Sequence, residues 1–580
     1  MTNPSEPARP RNLQPEQQGA LPWEDVRCPG LTPGAGKISE LLARLPKKWA
    51  IYAYKSAAEA LWVVFVGGTG TGKSTLFNAV CEQPLSQTGF ERPKTFGPIV
   101  FAHKHLPLDR GFPIASISVK LQPFEEAGAQ PCAGEPQTLL IVQHQRQELA
   151  HLILVDTPDV DSLEARNRET VEDLYLLSDV IVFVTSQEKY ADEVPFQFLR
   201  RAHQDRKICF LLLNKGQDSL SIEELLASFR EQRMQLDERR AWVLPYVPAS
   251  PSEQLRQNEN FNSFLAALSD SLRKSKLASL LKDEKLRCRE ALNRELQLLL
   301  DLLKKEREAA KNWLEQLATL QRVVSASLLE QQAAHFDEES RGYLQEEIRR
   351  LFSKYDVLRK PRRLVAQVLL SPLQFLGLLS PKPQKSHQEA LLSIREKINL
   401  TPICAAVERF NRAVLENLSP ADPGSRFYQA LRKPELIMTE EEIKATVWEQ
   451  QEKLANWLES TFQQMAQGIP KTKEWGIYST SLLWGALILS FEAAVGGGIT
   501  LVEAVLDSAI APFVTKGAVE LFAYQELQKI ARSLAKRYQE GLLAVLQQQE
   551  ARYIDCLQSL STSREAIARL VALQNGLARS

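Results

Sequence analysis

Leu61-Trp62-Val63-Val64-Phe65-Val66-Gly67-Gly68-Thr69-Gly70-Thr71-Gly72-Lys73-Ser74-Thr75-Leu76-Phe77-Asn78 is the stretch that decides the fold. Six apolar residues read as a buried strand, the next eight fit G-x-x-x-x-G-K-S, and Thr75 onward suits a helix start. Strand, glycine loop and helix in that order separate a phosphate-binding loop from a chance match. The glycines allow backbone N–H groups to converge on phosphate oxygens, and the helix N-terminus adds its partial positive charge. Gly67, Gly68, Thr69, Gly70, Thr71, Gly72, Lys73, Ser74 and Thr75 are therefore the candidate nucleotide-binding residues of this loop. Lys73 is placed to reach the β- and γ-phosphates, and the Ser74 hydroxyl to ligate Mg²⁺. The plain alternative, a glycine-rich turn with no ligand, requires two fixed glycines, a lysine and a hydroxyl to coincide after a buried strand.

Outward from this loop, residues 61–275 alternate strand and helix signals. Short β-rich runs occur at Ile114–Leu121, Leu139–Val142, Leu152–Val155, Val180–Thr185, Ile208–Leu213 and Trp242–Val247. Helical stretches fall near 167–177, 193–203 and 221–236. That alternation predicts a mainly parallel sheet wrapped by helices. Residues 36–60 carry helical spacing (Ile38, Leu41, Leu42, Leu45, Trp49, Tyr52) and form a helix before the first strand. Residues 1–35 are rich in Pro, Gln and Gly without apolar period, and read as a disordered or loosely attached lead-in.

Leu152-Ile153-Leu154-Val155-Asp156-Thr157-Pro158-Asp159 is an apolar strand ending in an aspartate. A carboxylate at a strand end can hold Mg²⁺ through water, opposite the phosphate loop. The alternative is a strand end with a polar cap. Phe210-Leu211-Leu212-Leu213-Asn214-Lys215-Gly216-Gln217-Asp218 is a second buried strand, ending in Asn-Lys. It resembles the guanine-specifying Asn-Lys-x-Asp motif, in which the aspartate accepts hydrogen bonds that adenine cannot supply. Gln217 occupies the aspartate position and Asp218 comes one residue late. Two readings stay open: a one-residue bulge, eased by Gly216, that lets Asp218 take the role, or a relaxed base choice that would admit ATP. Pro248-Ala249-Ser250 follows the last strand and resembles the loop whose backbone N–H, here at Ala249, contacts the guanine oxygen.

The order and spacing of these elements, with a long helical tail, resemble the dynamin-like large GTPases and their bacterial relatives. The resemblance covers about residues 61–255. It implies an α/β P-loop GTPase domain, with a mainly parallel sheet wrapped by helices, followed by a long all-α stalk or bundle. In Arg92-Pro93-Lys94-Thr95 it implies that Thr95 ligates Mg²⁺ and closes over the γ-phosphate, with Thr88 as competitor and an ordinary surface turn as the plain alternative. The resemblance thus gives Lys73 and Thr95 as catalytic residues, Ser74, Thr95 and Asp156 as metal ligands, and GTP and Mg²⁺ as substrate and cofactor. It also implies self-association and contact with membrane lipids. Three departures stand out. Asp159 replaces the glycine of Asp-x-x-Gly, Val160 stands where Ras-like enzymes orient water with glutamine, and the dynamin glutamine of the phosphate loop is absent, with Thr69 and Gly70 in that stretch.

The 580 residues suggest three to four domain-sized units. The 71 basic and 71 acidic residues balance, which argues against a nucleic-acid binder. Seven scattered cysteines without C-x-x-C spacing suggest neither a disulfide framework nor a zinc site, and a cytoplasmic setting fits. The polar, proline-rich N-terminus lacks the apolar stretch of a secretory signal.

Residues 276–580 are read as helical, with blocks at about 276–358, 386–418, 438–468 and 515–577 rich in helix formers. Two segments there are candidates for membrane contact. In 359–385, basic flanks bracket the apolar run Leu364–Leu379, too short to span a bilayer but suited to an interfacial helix. In 477–514, a strongly apolar start continues into Glu492, Glu503 and Asp507 around Gly496-Gly497-Gly498. A re-entrant hairpin and a buried core hairpin both fit this second segment, and a buried helix with solvated basic ends fits the first.

Overall fold

Strand β1 (Leu61–Gly67) is buried at every position. The reason lies in its neighbours: Trp62, Val64 and Val66 feed one apolar core, and Leu61, Val63 and Phe65 feed a second on the opposite face. A strand covered on both faces reads as a continuous apolar run rather than an alternation. The computed structural model describes residues 23–88, 96–123, 131–162, 164–186, 193–216, 237–245, 254–334, 400–467 and 521–579.

The remaining strands are β2 (Ile99–His103), β3 (Ser118–Pro123), β4 (Thr138–His144), β5 (Leu152–Asp156), β6 (Val180–Ser186), β7 (Ile208–Gly216) and β8 (Ala241–Pro245). They form one eight-stranded sheet in the order β3-β4-β2-β5-β1-β6-β7-β8. Every pairing is parallel except β2 with β5, where Ile99 faces Asp156. Helices α1 (Ala35–Ser56), α2 (Lys73–Cys81), α3 (Ala165–Leu177), α4 (Glu193–Gln204) and α5 (Glu259–Ser271) accompany it. The expected sheet wrapped by helices is therefore present.

Three details differ from the sequence reading. β2 was not expected: its apolar run, Ile99–Ala102, is only four residues long, directly after Gly97-Pro98. β3 starts at Ser118 rather than Ile114, because Ile114 and Ile117 enter the core from the turn before the strand. β8 is described to Pro245, and the expected helix near 221–236 lies outside the described residues.

The helical half contains α6 (Leu277–Ala334), α7 (Thr401–Asn417), α8 (Arg426–Leu431), α9 (Glu440–Gln467), α10 (Leu521–Leu560) and α11 (Arg564–Arg579). The proline-free block expected as one run over 515–577 is divided at Ser561-Thr562-Ser563. Ser563 caps α11 by accepting from the Ala566 N–H at 3.1 Å, and the Thr562 hydroxyl accepts from the Arg27 N–H at 3.1 Å. Helix α9 opens on Thr439 and Glu442, each accepting from the other's N–H at 3.3 and 2.8 Å, a reciprocal cap. Phe410, Phe427, Tyr553 and Leu546 form the core of this half, with the Tyr553 hydroxyl donating to Asn411 Oδ1 at 2.9 Å.

The chain divides into two compact units. One gathers Ser39–Leu300 with Ala568–Ser580, and the other Glu24–Ile38 with Asp301–Ile567, so the division falls within α1, α6 and α11. In the second unit the Glu306 carboxylate accepts from three successive backbone N–H groups, those of Gly30, Leu31 and Thr32, at 3.2, 3.0 and 2.7 Å. Gly30 has φ +85°, and a Cβ there would stand 2.6 Å from Ser425 Cβ. Burial, aided by Glu306, pushes the neighbouring Cys28 thiol up to about 12. Among the described residues no helix is long and apolar enough to cross a membrane. The segments 359–385 and 477–514 lie outside the described residues.

Candidate functional site: the phosphate loop and its carboxylates

The loop runs from the end of β1 into α2, whose first residue is Lys73. Gly70 and Gly72 have φ +74° and +87°, the left-handed region that glycine enters at little cost. At Gly72 the requirement is double, since a Cβ would lie 2.2 Å from Asn214 Nδ2. Gly67 answers to packing alone: a Cβ would meet Val184 O at 2.2 Å.

Two strand ends close on this loop. From β7, Asn214 Nδ2 donates to Thr71 O at 2.9 Å, and Lys215 Nζ to Gly70 O at 2.8 Å. The residues expected to hold a base are thus tied to the residues expected to hold phosphate. Lys215 itself has φ +60°, and between Leu213 and Gly216 β7 carries one residue more than β8. Gly216 sits where a Cβ would meet Val243 Cγ1 at 2.4 Å. Gln217, Asp218 and Ala249 lie outside the described residues, as does Thr95; Thr88 is described and exposed.

From β5 comes Asp156, fully buried, with Oδ1 3.5 Å from Lys73 Nζ. Its Oδ2 accepts from the Ser86 hydroxyl at 2.7 Å. Ser86 is delivered there by Asn78 of α2, whose Oδ1 accepts from the N–H groups of Leu85 and Ser86 and whose Nδ2 donates to Ser86 O. Asp156 Oδ1 has no hydrogen-bond donor. A fully buried carboxylate oxygen without a hydrogen-bond donor, in a chain whose α2 opens on Lys73-Ser74, fits a Mg²⁺ site that the Ser74 hydroxyl, phosphate and water would complete. Among the described residues no three His, Cys, Asp or Glu side chains form a metal cluster.

After the strand, Thr157 donates to Phe65 O at 2.8 Å and fixes the turn. Past Pro158, three successive residues bind the phosphate loop in turn. Asp159 Oδ1 lies 3.4 Å from Lys73 Nζ. Val160 donates its N–H to Gly67 O at 3.2 Å and buries its side chain in the core. Asp161 Oδ1 accepts from both the N–H and the hydroxyl of Thr69, at 2.7 and 2.6 Å. Burial acts to lower the Lys73 pKa, but Asp156 and Asp159 outweigh it and hold the ammonium above its ordinary value. Asp159 therefore points toward Lys73, contrary to the orientation that repulsion by a phosphate would favour.

Ser86, Asn78 and Asp161 were missed in the sequence. Nothing local marks the first two, because their roles depend on a loop folding back after α2. Asp161 could have been suspected from the alternation of Asp159 and Asp161 about an apolar residue.

The family model described as the dynamin family matches residues 63–215. The chain is 24% identical over 181 residues to a probable transmembrane GTPase, FZO-like and chloroplastic, of Arabidopsis thaliana. That alignment takes in 31% of this chain and 18% of the relative, so the chain spans less than a fifth of that relative's length. Two solved structures, described as an oligomerised bacterial dynamin pair that senses and tethers membranes at long range, are also similar. Their TM-scores are 0.34 and 0.31, at 12% and 14% identity, covering 94% of this chain and 91% and 89% of theirs. Residues 63–215, which hold the phosphate loop, Asp156 and Asn214-Lys215, match the dynamin family, and over these residues the chain is dynamin-like.

Proposed function

We propose that the protein hydrolyses GTP to GDP and phosphate. The observation that carries this reading is a phosphate loop whose Lys73 is the first residue of α2 and whose glycines are braced by Asn214 and Lys215. The loop amides and Lys73 receive phosphate oxygens and stabilise charge that develops on them. Ser74, Thr95 and Asp156 would hold Mg²⁺, which when bound neutralises charge between the β- and γ-phosphates. Asn214, Lys215, Asp218 and the Ala249 N–H hold the base, and the extra residue in β7 supports the reading in which Asp218 takes the aspartate role.

The proposed output is nucleotide-dependent self-assembly of the helical half and contact with membrane lipid through 359–385 or 477–514, at the cytoplasmic face of a membrane. It rests on the basic and apolar patterning of those segments and on the dynamin-like relatives. Phosphate release from GTP by the full-length protein, with and without anionic liposomes, tests it. Stimulation by liposomes supports coupling to membrane; turnover in neither condition overturns the hydrolase reading.

One observation favours a second reading, a slow nucleotide-gated switch that recruits a protein partner. Val160 is buried in the core, so the position that orients water in Ras-like enzymes is taken up by packing. Slow turnover unchanged by lipid selects this reading. Competition by ATP against bound GTP separates a guanine-specific site from an ATPase.

A further inference from the structure

The three residues after Asp156-Thr157-Pro158 fasten to three different points of the phosphate loop: Asp159 to Lys73, Val160 to Gly67, and Asp161 to Thr69. We infer that Asp159 is a specificity-determining residue which competes with a nucleotide's terminal phosphate for Lys73, so that the site discriminates against triphosphate. The inference rests on the nucleotide-binding reading above and names a property of that same site.

The argument starts from position. Asp159 is not a surface charge that has wandered onto a lysine. Its backbone is held before it by Thr157, whose hydroxyl donates to Phe65 O, and after it by the buried Val160, whose N–H is spent on Gly67 O, and the Asp161 carboxylate clasping Thr69. Asp159 is thus delivered to Lys73 by a segment anchored on both flanks. Its side chain is 20% exposed while the Lys73 side chain is 3% exposed, so the carboxylate is the solvent-accessible member of the pair. Lys73 meets Asp156 and Asp159 at similar distances, 3.5 and 3.4 Å. Asp156, fully buried and bonded to Ser86, has a fixed place; Asp159 is the partner that can move.

A triphosphate asks the most of this arrangement. Its terminal phosphate brings further negative charge to Lys73 while the Asp159 carboxylate stays close, and like charges at such separations repel strongly in a partly buried site. A diphosphate lacks that group and asks for less rearrangement. At this position a glycine would offer its N–H without a charge; an aspartate makes triphosphate binding depend on moving the Asp159–Asp161 segment. The clasp of Asp161 on Thr69 resists that motion, which couples the content of the site to the chain that follows β5.

The test compares the full chain with Asp159→Asn and Asp159→Gly. Affinities for guanosine 5′-(β,γ-imido)triphosphate and for GDP are measured with Mg²⁺ by calorimetry, and folding is checked by thermal melting. Asp159→Asn keeps the size of the side chain and removes its charge. The expected result is about a tenfold or larger gain in triphosphate affinity, about 1.4 kcal/mol, with GDP affinity changed less than about threefold. Asp159→Gly should shift the ratio in the same direction. Equal shifts for the two nucleotides, or none, overturn the inference while leaving nucleotide binding intact. Absence of binding by either nucleotide to the folded parent chain overturns the functional reading and this inference with it.

Discussion

The two ends of β1 each hold a buried lysine between two carboxylates. Beyond its last residue, Lys73 meets Asp156 and Asp159 at 3.5 and 3.4 Å. Near its first, Lys55 of α1 meets Asp179 at 2.6 Å and Glu284 of α6 at 3.3 Å, and Asp179 also accepts the Trp62 N–H at 2.7 Å. Both lysines are almost fully buried, and in both burial acts against the charge while the carboxylates prevail and raise the pKa. The chemistry is the same and the geometry is not. Close contact, with backbone bonds to Asp179, makes the Lys55 cluster a clamp between α1, β6 and α6. Longer contacts, with one partly exposed carboxylate, leave Lys73 exchangeable. A binding lysine needs partners that keep it charged without holding it too well.

Replacing each lysine by methionine separates the clamp from the binding group. Lys55→Met leaves Asp179 and Glu284 buried without their cation and should cost about 3–5 kcal/mol of stability, read by denaturant unfolding. Lys73→Met should cost less than half of that, yet reduce guanine-nucleotide affinity by about a hundredfold or more. Equal losses of stability would mean that both lysines serve as clamps.

A third buried group supplies the contrast of a base with no effective acid. His144, at the end of β4, is held down to about 4, first by burial and then by the charges of His103 and Arg146, with Glu148 in weak opposition. Its Nδ1 accepts from the Arg146 N–H at 3.1 Å, which fits the neutral ring. Because the folded pKa is depressed below the unfolded value near 6.5, the folded chain binds this proton less readily. The stability so contributed is complete above about pH 6.5 and is lost as pH falls toward 4. At pH 5 the loss should be about 2 kcal/mol relative to pH 7.5, and His144→Gln should lack that component of the pH profile. A profile shared by parent and variant would show that the histidine does not titrate in this window.

The smallest effect concerns the support of Asp156. Ser86→Ala removes one hydrogen bond to a buried carboxylate and should cost about 1.5 kcal/mol in thermal or chemical unfolding. A change within error would mean that Asp156 is placed by its strand alone.

Much of the nucleotide-binding half was legible because its signals are contiguous. The run Leu61–Val66 followed by G-x-x-x-x-G-K-S needs no tertiary information, and neither does Asp156 at the end of a five-residue apolar strand. β2 escaped because five residues beside a Gly-Pro pair carry little periodicity, and because it pairs antiparallel with β5 in an otherwise parallel sheet. The site's second layer was hidden for a different reason. Ser86 acquires its role only when Asn78 folds the loop back, and Asp161 only when β5 stands beside β1. The direction of Asp159 is set by attraction to Lys73, a contact that exists only once the turn after β5 is folded against the loop. In the helical half, composition gave helices readily, but the break at Ser561–Ser563 depends on two hydroxyls that a proline-free stretch conceals.

The division of the chain has a consequence for how it is made. Residues 301–567 of one unit lie, in sequence, inside the other, whose Ser39–Leu300 part awaits Ala568–Ser580. A ribosome therefore releases most of the nucleotide-binding unit long before that unit can be finished. At about 5–20 residues per second, the interval is on the order of tens of seconds. Through that time the early half of α6 lacks its late partner, such as Gln574, which reaches Gln297 at 2.7 Å. Closing so long an insert costs little more entropy than closing a short one, since the penalty grows only with the logarithm of length. The burden falls on timing: the unit that carries the phosphate loop is completed last, after the intervening helices have had their chance to fold.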